Sequence, residues 1–375
     1  MNMPTSGKTP ARLGYVMPAE WERHEAVWLS WPHDPVTFPG RVEKVEKTYV
    51  ELIRALAPGE TVNLLVKDSA MQRKAARLLK EAGAADGRVN FHLYDYADVW
   101  FRDYGPIFLV NRKDGTLAMT HWVYNAWGEK YPSLMKDTKI PDFIREEMKI
   151  PSFAPGIVLE GGSIDVNGRG TLLTTEQCLL NKNRNPKLTR EEIEGYLREY
   201  LGVTHILWLK NGIEGDDTDG HIDDIARFAD PLTVLCVYEE DEHDENYPIL
   251  HENYEILRRS TDQDGKPLKV VKLPTPGVIG DQAGRLPASY ANFYIGNEVV
   301  VVPVFGHPND RRAIEIIGSH FPDRRVVGID ASNLVHGLGT FHCISQQQPD
   351  SRHSRESGNP VFQRSLDTRF RGDSV

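Results

Sequence analysis

One kind of segment recurs along this chain: an apolar strand, a turn bearing glycine, a second apolar strand, then an amphipathic helix. It is read in WFRDYGPIFLVN with LAMTHWVY, in IVLEGGSIDVNGRGTLLTT, in GHIDDIARFADPLTVLCV and in ANFYIGNEVVVVPVFG. In the first, Asp114-Gly115 is a hairpin turn signal. Helices are expected after the others, one of them starting at a capping box of Thr189 and Glu192, the others over 250–259 and from 309 through 317. The polar residues Asp103, Asp165, Asp223, Asn292 and Cys343 mark these units at intervals of roughly fifty to seventy residues, a length typical of repeat architectures. A doubly wound sheet alternates strand and helix singly and does not give this pattern. A ring of modules does, because each buries its face against the next and the last closes on the first.

Before the repeats come a polar arm, the strand AVWLSWP, a helix over 41–57 with Val45, Tyr49, Leu52, Ile53 and Leu56 on one face, and the strand VNLLV. A second helix is expected from the cap Asp68 to Gly83, followed by the strand FHLYDY. At the far end HCISQQ offers a strand without a second arm. Its expected partner is AVWLSW, which completes the ring and turns the polar strand ends toward one central channel.

The 375 residues, 40% hydrophobic and 26% charged, suffice for a large buried core, as one domain or two. The longest apolar runs, such as VVVVPVF, fall far short of the ~20 residues that span a bilayer, so no membrane is expected. The N-terminal stretch lacks the apolar core of a secretory signal, which makes a cytoplasmic protein the default. A net charge of −10 disfavours nucleic acid and favours cationic ligands. Residues 350–375 hold five arginines and little apolar periodicity, and are expected to be a disordered appendage.

Three cysteines without paired spacing point to neither a disulfide framework nor a structural zinc site. Cys236 in LTVLCVY reads as core, and Cys178 in TTEQCLL as core or half-buried. Cys343 follows a glycine-bearing loop between polar residues and is the candidate nucleophile. Its prospective company is Asp103, Glu160, His221, Asp223 and Asn292. Three of them have a plainer alternative: Asp103 as an ion pair with a nearby arginine, Glu160 as an acceptor of backbone amides in its glycine turn, His221 as a hydrogen-bonded structural histidine. On a strand, alternate side chains share a face, so His221 and Asp223 are expected together. By the same rule His342 and Cys343 part, leaving His342 a poor base for the thiol. A protease-like triad needs a single carboxylate, and further acids beside a thiol raise its pKa. The surplus makes sense for a cationic substrate; a guanidinium presents a planar fork that carboxylates match.

Taken together, WFRDYGP, LEGGSID followed by GTLLTTEQCLLNKNRNP, DDTDGHIDD, LPASYANFYIGN and FHCISQQQP resemble the agmatine deiminase family, guanidino-modifying penteins close to bacterial peptidylarginine deiminases. The resemblance covers roughly residues 14–349 and implies one α/β domain, a fivefold pseudosymmetric propeller. It implies Cys343 as nucleophile, His221 as acid and base, Asp103 and Asp223 as guanidinium ligands, Glu160 as an active-site carboxylate, and Asp217 and Trp100 at the substrate's other end. Asn292 is placed with the substrate-binding residues. The implied reaction is hydrolysis of agmatine to N-carbamoylputrescine and ammonia through a covalent cysteine intermediate, in putrescine and polyamine biosynthesis, without metal or organic cofactor. A homodimer fits the family. The other readings are a peptidylarginine or arginine deiminase, an amidinotransferase, and a noncatalytic polyamine-binding protein.

Three positions depart from the family pattern. Asp217 stands where glutamate is usual, Asp165 where histidine is usual, and Leu338 interrupts the run of three glycines before the cysteine. The tail beyond Pro349 has no family counterpart and resembles translated repeat sequence.

Overall fold

The computed structural model describes residues 9–84, 88–281 and 284–351. Its strands form five sheets of three or four strands, and a separate two-stranded hairpin. All five share one connectivity: an antiparallel pair, then a helical crossover to a strand that pairs in parallel. Thr233–Tyr238, for example, runs antiparallel to Ala226–Phe228 and parallel to Lys269–Pro274. Val299–Val304 does the same between Tyr294–Ile295 and Arg325–Asp330.

In the first sheet the sequence reading found the parallel strands VNLLV and FHLYDY, but it missed the returning parallel strands of the other four sheets and the helix Ile140–Met148. Lys269–Pro274 and Arg325–Asp330 are largely half-buried edges carrying exposed Lys269, Lys272, Arg325 and Asp330 among their valines, so neither shows a continuous apolar run. The middle strands do, since Val299–Val302 are all buried.

Helix Val42–Leu56 buries Val45, Tyr49, Leu52, Ile53 and Leu56, the predicted stripe. Asp68 caps Ser69–Glu81 by accepting from the amides of Ala70 and Met71. Both halves of the Thr189/Glu192 capping box are formed at Arg190–Leu201. The terminal strand Gln346–Pro349 lies antiparallel to His24–Ser30, with Gln346 opposite Trp28 and Gln348 opposite Ala26. Trp28 Nε1 donates to Gln348 Oε1 at 2.9 Å, so the last strand is tied to the first sheet as expected.

Local geometry differs from expectation at the polar markers. His221 precedes a 3-10 turn, Ile222–Asp224, instead of lying on a strand. His342 and Cys343 lie in consecutive turns, and the strand starts only at Gln346. The alternating-face rule therefore does not govern either pair. The strand expected as FHLYDY is Val89–Leu93. Asp350 docks on the body: its N–H donates to the Arg23 carbonyl at 2.8 Å and its carboxylate lies 3.2 Å from Arg23 Nε. The rest of the expected tail, from residue 352, lies outside the described residues. Among the described residues no helix is long and apolar enough to cross a membrane.

Candidate active site

The glycine turn after Glu160 forms the floor of the site. A Cβ placed on Gly162 would lie 2.6 Å from His221 Nδ1, 2.9 Å from Asp103 Oδ1 and 3.1 Å from Asp223 Oδ2, so only glycine lets the three side chains converge. Asp103 comes from the single-turn helix Phe101–Tyr104. Its carboxylate is aimed by two donors, Gly162 N at 3.0 Å and Trp127 Nε1 at 2.9 Å.

Cys343 is buried and joins the same cluster. Its Sγ lies 3.7 Å from Asp223 Oδ2 and accepts from Asn292 Nδ2 at 3.0 Å. Asn292 also donates to Asp224 Oδ1 at 3.0 Å, while its Oδ1 accepts from Thr340 Oγ1 at 2.7 Å and from the amide of His342 at 3.1 Å. One amide thus fixes the turn that carries the thiol.

Burial sets the charges. It pushes the Cys343 thiol well above its ordinary value, and Asp223, Asp224 and Asp103 push it further the same way. Burial and the Asp223 charge likewise hold the carboxyls of Asp103 and Asp224 well above the usual range. Asp223 goes the other way: burial opposes its ionisation, but the hydrogen bond and charge of His342 outweigh this and lower it. His221 has no hydrogen-bond partner at either ring nitrogen among the described residues, and burial lowers it to about 3. It is a neutral imidazole at pH 7, with Asp103 Oδ1 3.8 Å from Nδ1.

Glu160 is fully buried behind His221. Its Oε1 accepts from Arg184 Nε at 2.6 Å, while Oε2 has no partner among the described residues. Among the described residues two trios of donor atoms lie close enough to share a cation, Glu160 with Cys178 and His221, and Asp223 with Asp224 and Cys343, each within 4.8 Å.

From Cys343 a cavity of about 210 Å³ opens outward past Asp103, Trp100 and Trp127 to Asp217 and Tyr131. The acidic run before His221 is mostly engaged in its own loop. Asp216 accepts from the amides of Thr218, Gly220 and His221, and Asp219 is held by Arg184, Asn183 and Lys130. Asp217 faces the cavity, yet it accepts from the Tyr131 hydroxyl and lies 3.3 Å from Lys130 Nζ. The spare acid expected there is shared with a lysine. Trp100 lines the wall with its Nε1 donating to Asp98 Oδ2 at 3.0 Å.

Asp103, Asp223, His221, Asn292, Cys343 and Glu160 are therefore brought together, and Asp217 and Trp100 line the cavity beyond them. Asp165 does not enter it; the carboxylate accepts from Arg227 Nε at 3.1 Å and from the amide of Phe228 at 2.7 Å. Sequence reasoning missed Asp224, Asp98, Trp127, Arg184 and Glu20, and set His342 aside. Asp224 stood in the quoted motif beside Asp223 and was the most accessible of these; Glu20 lies in the polar arm, where no periodicity marks it.

Residues 16–349 match the Porphyromonas-type peptidyl-arginine deiminase family. Agmatine deiminase of Stutzerimonas stutzeri is 37% identical to this chain, over 92% of it and 99% of that protein. Among solved structures, agmatine deiminase of Enterococcus faecalis superposes with a TM-score of 0.85 at 34% identity, covering 93% of this chain and 100% of the other. A cysteine-to-serine variant of C. jejuni agmatine deiminase with substrate bound gives a TM-score of 0.81 at 32% identity, covering 90% and 97%. With matches of this extent, the chain belongs to the Porphyromonas-type peptidyl-arginine deiminase family, within its agmatine deiminase relatives and the pentein superfamily.

Proposed function

We propose that this protein is an agmatine deiminase, hydrolysing agmatine to N-carbamoylputrescine and ammonia. The lining of the cavity carries the reading. Among the described residues around it are four carboxylates, Asp34, Asp98, Asp103 and Asp217, and no lysine or arginine. Agmatine is cationic at both ends and suits such a wall. Free arginine would bring its α-carboxylate among these acids, a like-charge contact that costs several kcal/mol. A peptidyl arginine would lack the far ammonium.

In the proposed reaction Asp103 and Asp223 hold the guanidinium flat beside Cys343. As Sγ attacks the central carbon, neutral His221 takes the thiol proton, then delivers it to the departing ammonia, leaving a cysteine-bound thiouronium. Glu160 supports His221 from behind. His221 next takes a proton from water, whose oxygen attacks the same carbon. The tetrahedral adduct expels sulfur, His221 returns the proton to it, and the excess proton leaves with ammonia as ammonium. Trp100 packs on the methylenes, and Asp217 takes the far ammonium in competition with Lys130.

The proposal also includes one domain over 14–349, its five sheets arranged as blades of a fivefold pseudosymmetric propeller, and a cytoplasmic homodimer. The three free cysteines accord with a reducing compartment.

Steady-state kinetics on agmatine, arginine and a blocked arginyl peptide test the assignment, with Asp217→Asn as control. Agmatine is expected to have the highest kcat/KM, and the variant to weaken agmatine selectively. A better rate on the peptide would overturn the substrate assignment. Release of putrescine without ammonia, with the amidino group carried to an added amine, would mean amidino transfer, and agmatine unchanged with or without that amine would mean binding alone.

A further inference from the structure

His342 stands between two buried carboxylates. Its Nδ1 lies 2.7 Å from Asp223 Oδ2 and its Nε2 lies 2.8 Å from Glu20 Oε2. Glu20 is gripped by cations and amides: Arg227 Nη2 donates at 2.8 Å, the Ile295 amide at 2.8 Å, and Arg102 Nη2 lies 3.6 Å away. Burial opposes its ionisation, but Arg227, His342 and Arg102 outweigh burial and hold it well below the usual carboxylate range. An ionised carboxylate only accepts, so a ring bonded to both partners needs an N–H on each nitrogen. Beyond the ring, Asp223 uses Oδ2 for His342 and Cys343, while its buried Oδ1 has no partner among the described residues.

That arrangement explains a difference between neighbours. Asp103, Asp223 and Asp224 share one dry site beside the thiol, and three adjacent anions there are strongly disfavoured. Asp103 and Asp224 receive only neutral donors, from Gly162, Trp127 and Asn292. Asp223 alone bonds a ring backed by a second carboxylate.

We propose that His342, anchored by Glu20, is a positioning residue that bridges the two carboxylates as a double donor, keeps Asp223 ionised, and leaves Asp223 Oδ1 free to receive the substrate guanidinium. The inference rests on the deiminase reading. His342 does not act as base toward Cys343; it acts through Asp223. The titratable and charged groups facing the bridge are Glu20, Asp223, Arg102, Arg227, Asp165 and, across the site, the neutral imidazole of His221. Among them Asp223 is the group that meets substrate and depends on the bridge for its charge.

Two substitutions separate positioning from bulk structure. The amide nitrogen of asparagine falls near the place of Nδ1, and that of glutamine near the place of Nε2. His342→Asn therefore keeps a donor on Asp223, and His342→Gln moves it to Glu20. The glutamine variant is expected to lose at least about tenfold in kcat/KM for agmatine, with the acid limb of its pH profile moved up by about one unit. The asparagine variant should recover most of both. Equal losses in the two variants with an unmoved acid limb would overturn the inference while leaving the deiminase reading intact. Neutron diffraction of the wild-type protein gives a readout independent of the variants' folding and of turnover. Deuterium on both His342 ring nitrogens is expected, and a bare nitrogen facing either carboxylate would refute the bridge even if the protein proved to hydrolyse no guanidine.

Discussion

Asn292 Nδ2 stands 3.0 Å from Cys343 Sγ and 3.0 Å from Asp224 Oδ1, donating one hydrogen to each. Its carbonyl oxygen holds Thr340 and the amide of His342, so a single side chain sets the turn on which the thiol sits and orients the thiol itself.

Replacing Asn292 with alanine leaves Asp224 without its side-chain donor and the 340–343 turn without its acceptor. Orphaned buried groups cost about 1–3 kcal/mol, so kcat/KM should fall roughly 5- to 150-fold. Titration of free thiols with and without denaturant will show whether the variant remains folded. A folded Asn292→Ala enzyme with wild-type kcat/KM would show that the amide has no part in aligning Cys343.

The second prediction concerns Leu338, which has φ of 74°, a left-handed conformation that a branched side chain adopts at a cost. The resemblance to the agmatine deiminase family implies glycine at this place. Leu338→Gly should stabilise the fold by about 1 kcal/mol, read as a rise in Tm, and widen the cavity beside Trp100. A lower Tm would mean that the half-buried leucine side chain contributes more than its backbone costs.

The third follows from the raised thiol. Alkylation of Cys343 by a neutral reagent should be slow at pH 7 and climb steadily into the alkaline range, because burial and three neighbouring carboxyls disfavour the thiolate. A rate already at its plateau between pH 6 and 8 would mean that the thiolate is preformed.

The fourth concerns acid stability. The folded protein binds a proton at His221 only near pH 3, whereas an exposed histidine binds it near 6.5. Between these values the unfolded chain holds a proton that the folded one lacks, so this residue lowers stability as pH falls. Removing it in His221→Asn should shift the Tm difference in the variant's favour from pH 7 to pH 5. A difference independent of pH would show that His221 charges freely in the folded state.

How far the sequence revealed this site can be judged residue by residue. The caps at Asp68 and Thr189 were legible because they use local hydrogen bonds at fixed offsets. The pairing of the last strand with His24–Ser30 was legible because one module lacked a second arm. The contents of the turns were not. Ile222–Asp224 and the turns holding His342 and Cys343 follow no strand alternation, and only the chain's path brings both ring nitrogens of His342 to carboxylates. Glu20 and Asp223 are two hundred residues apart in sequence, and no local signal connects them. The acidic run at 214–219 misled in the opposite direction, since composition cannot tell a free carboxylate from one closing its own loop, as Asp216 does.

Product analysis with agmatine bears most directly on the function. Wild-type protein incubated with agmatine, without any acceptor amine, should form N-carbamoylputrescine and ammonia in equal amounts, as should Cys178→Ala and Cys236→Ala. A folded Cys343→Ala should form neither. Ammonia from the Cys343 variant at the wild-type rate, or agmatine left intact by the wild-type protein, would contradict the account.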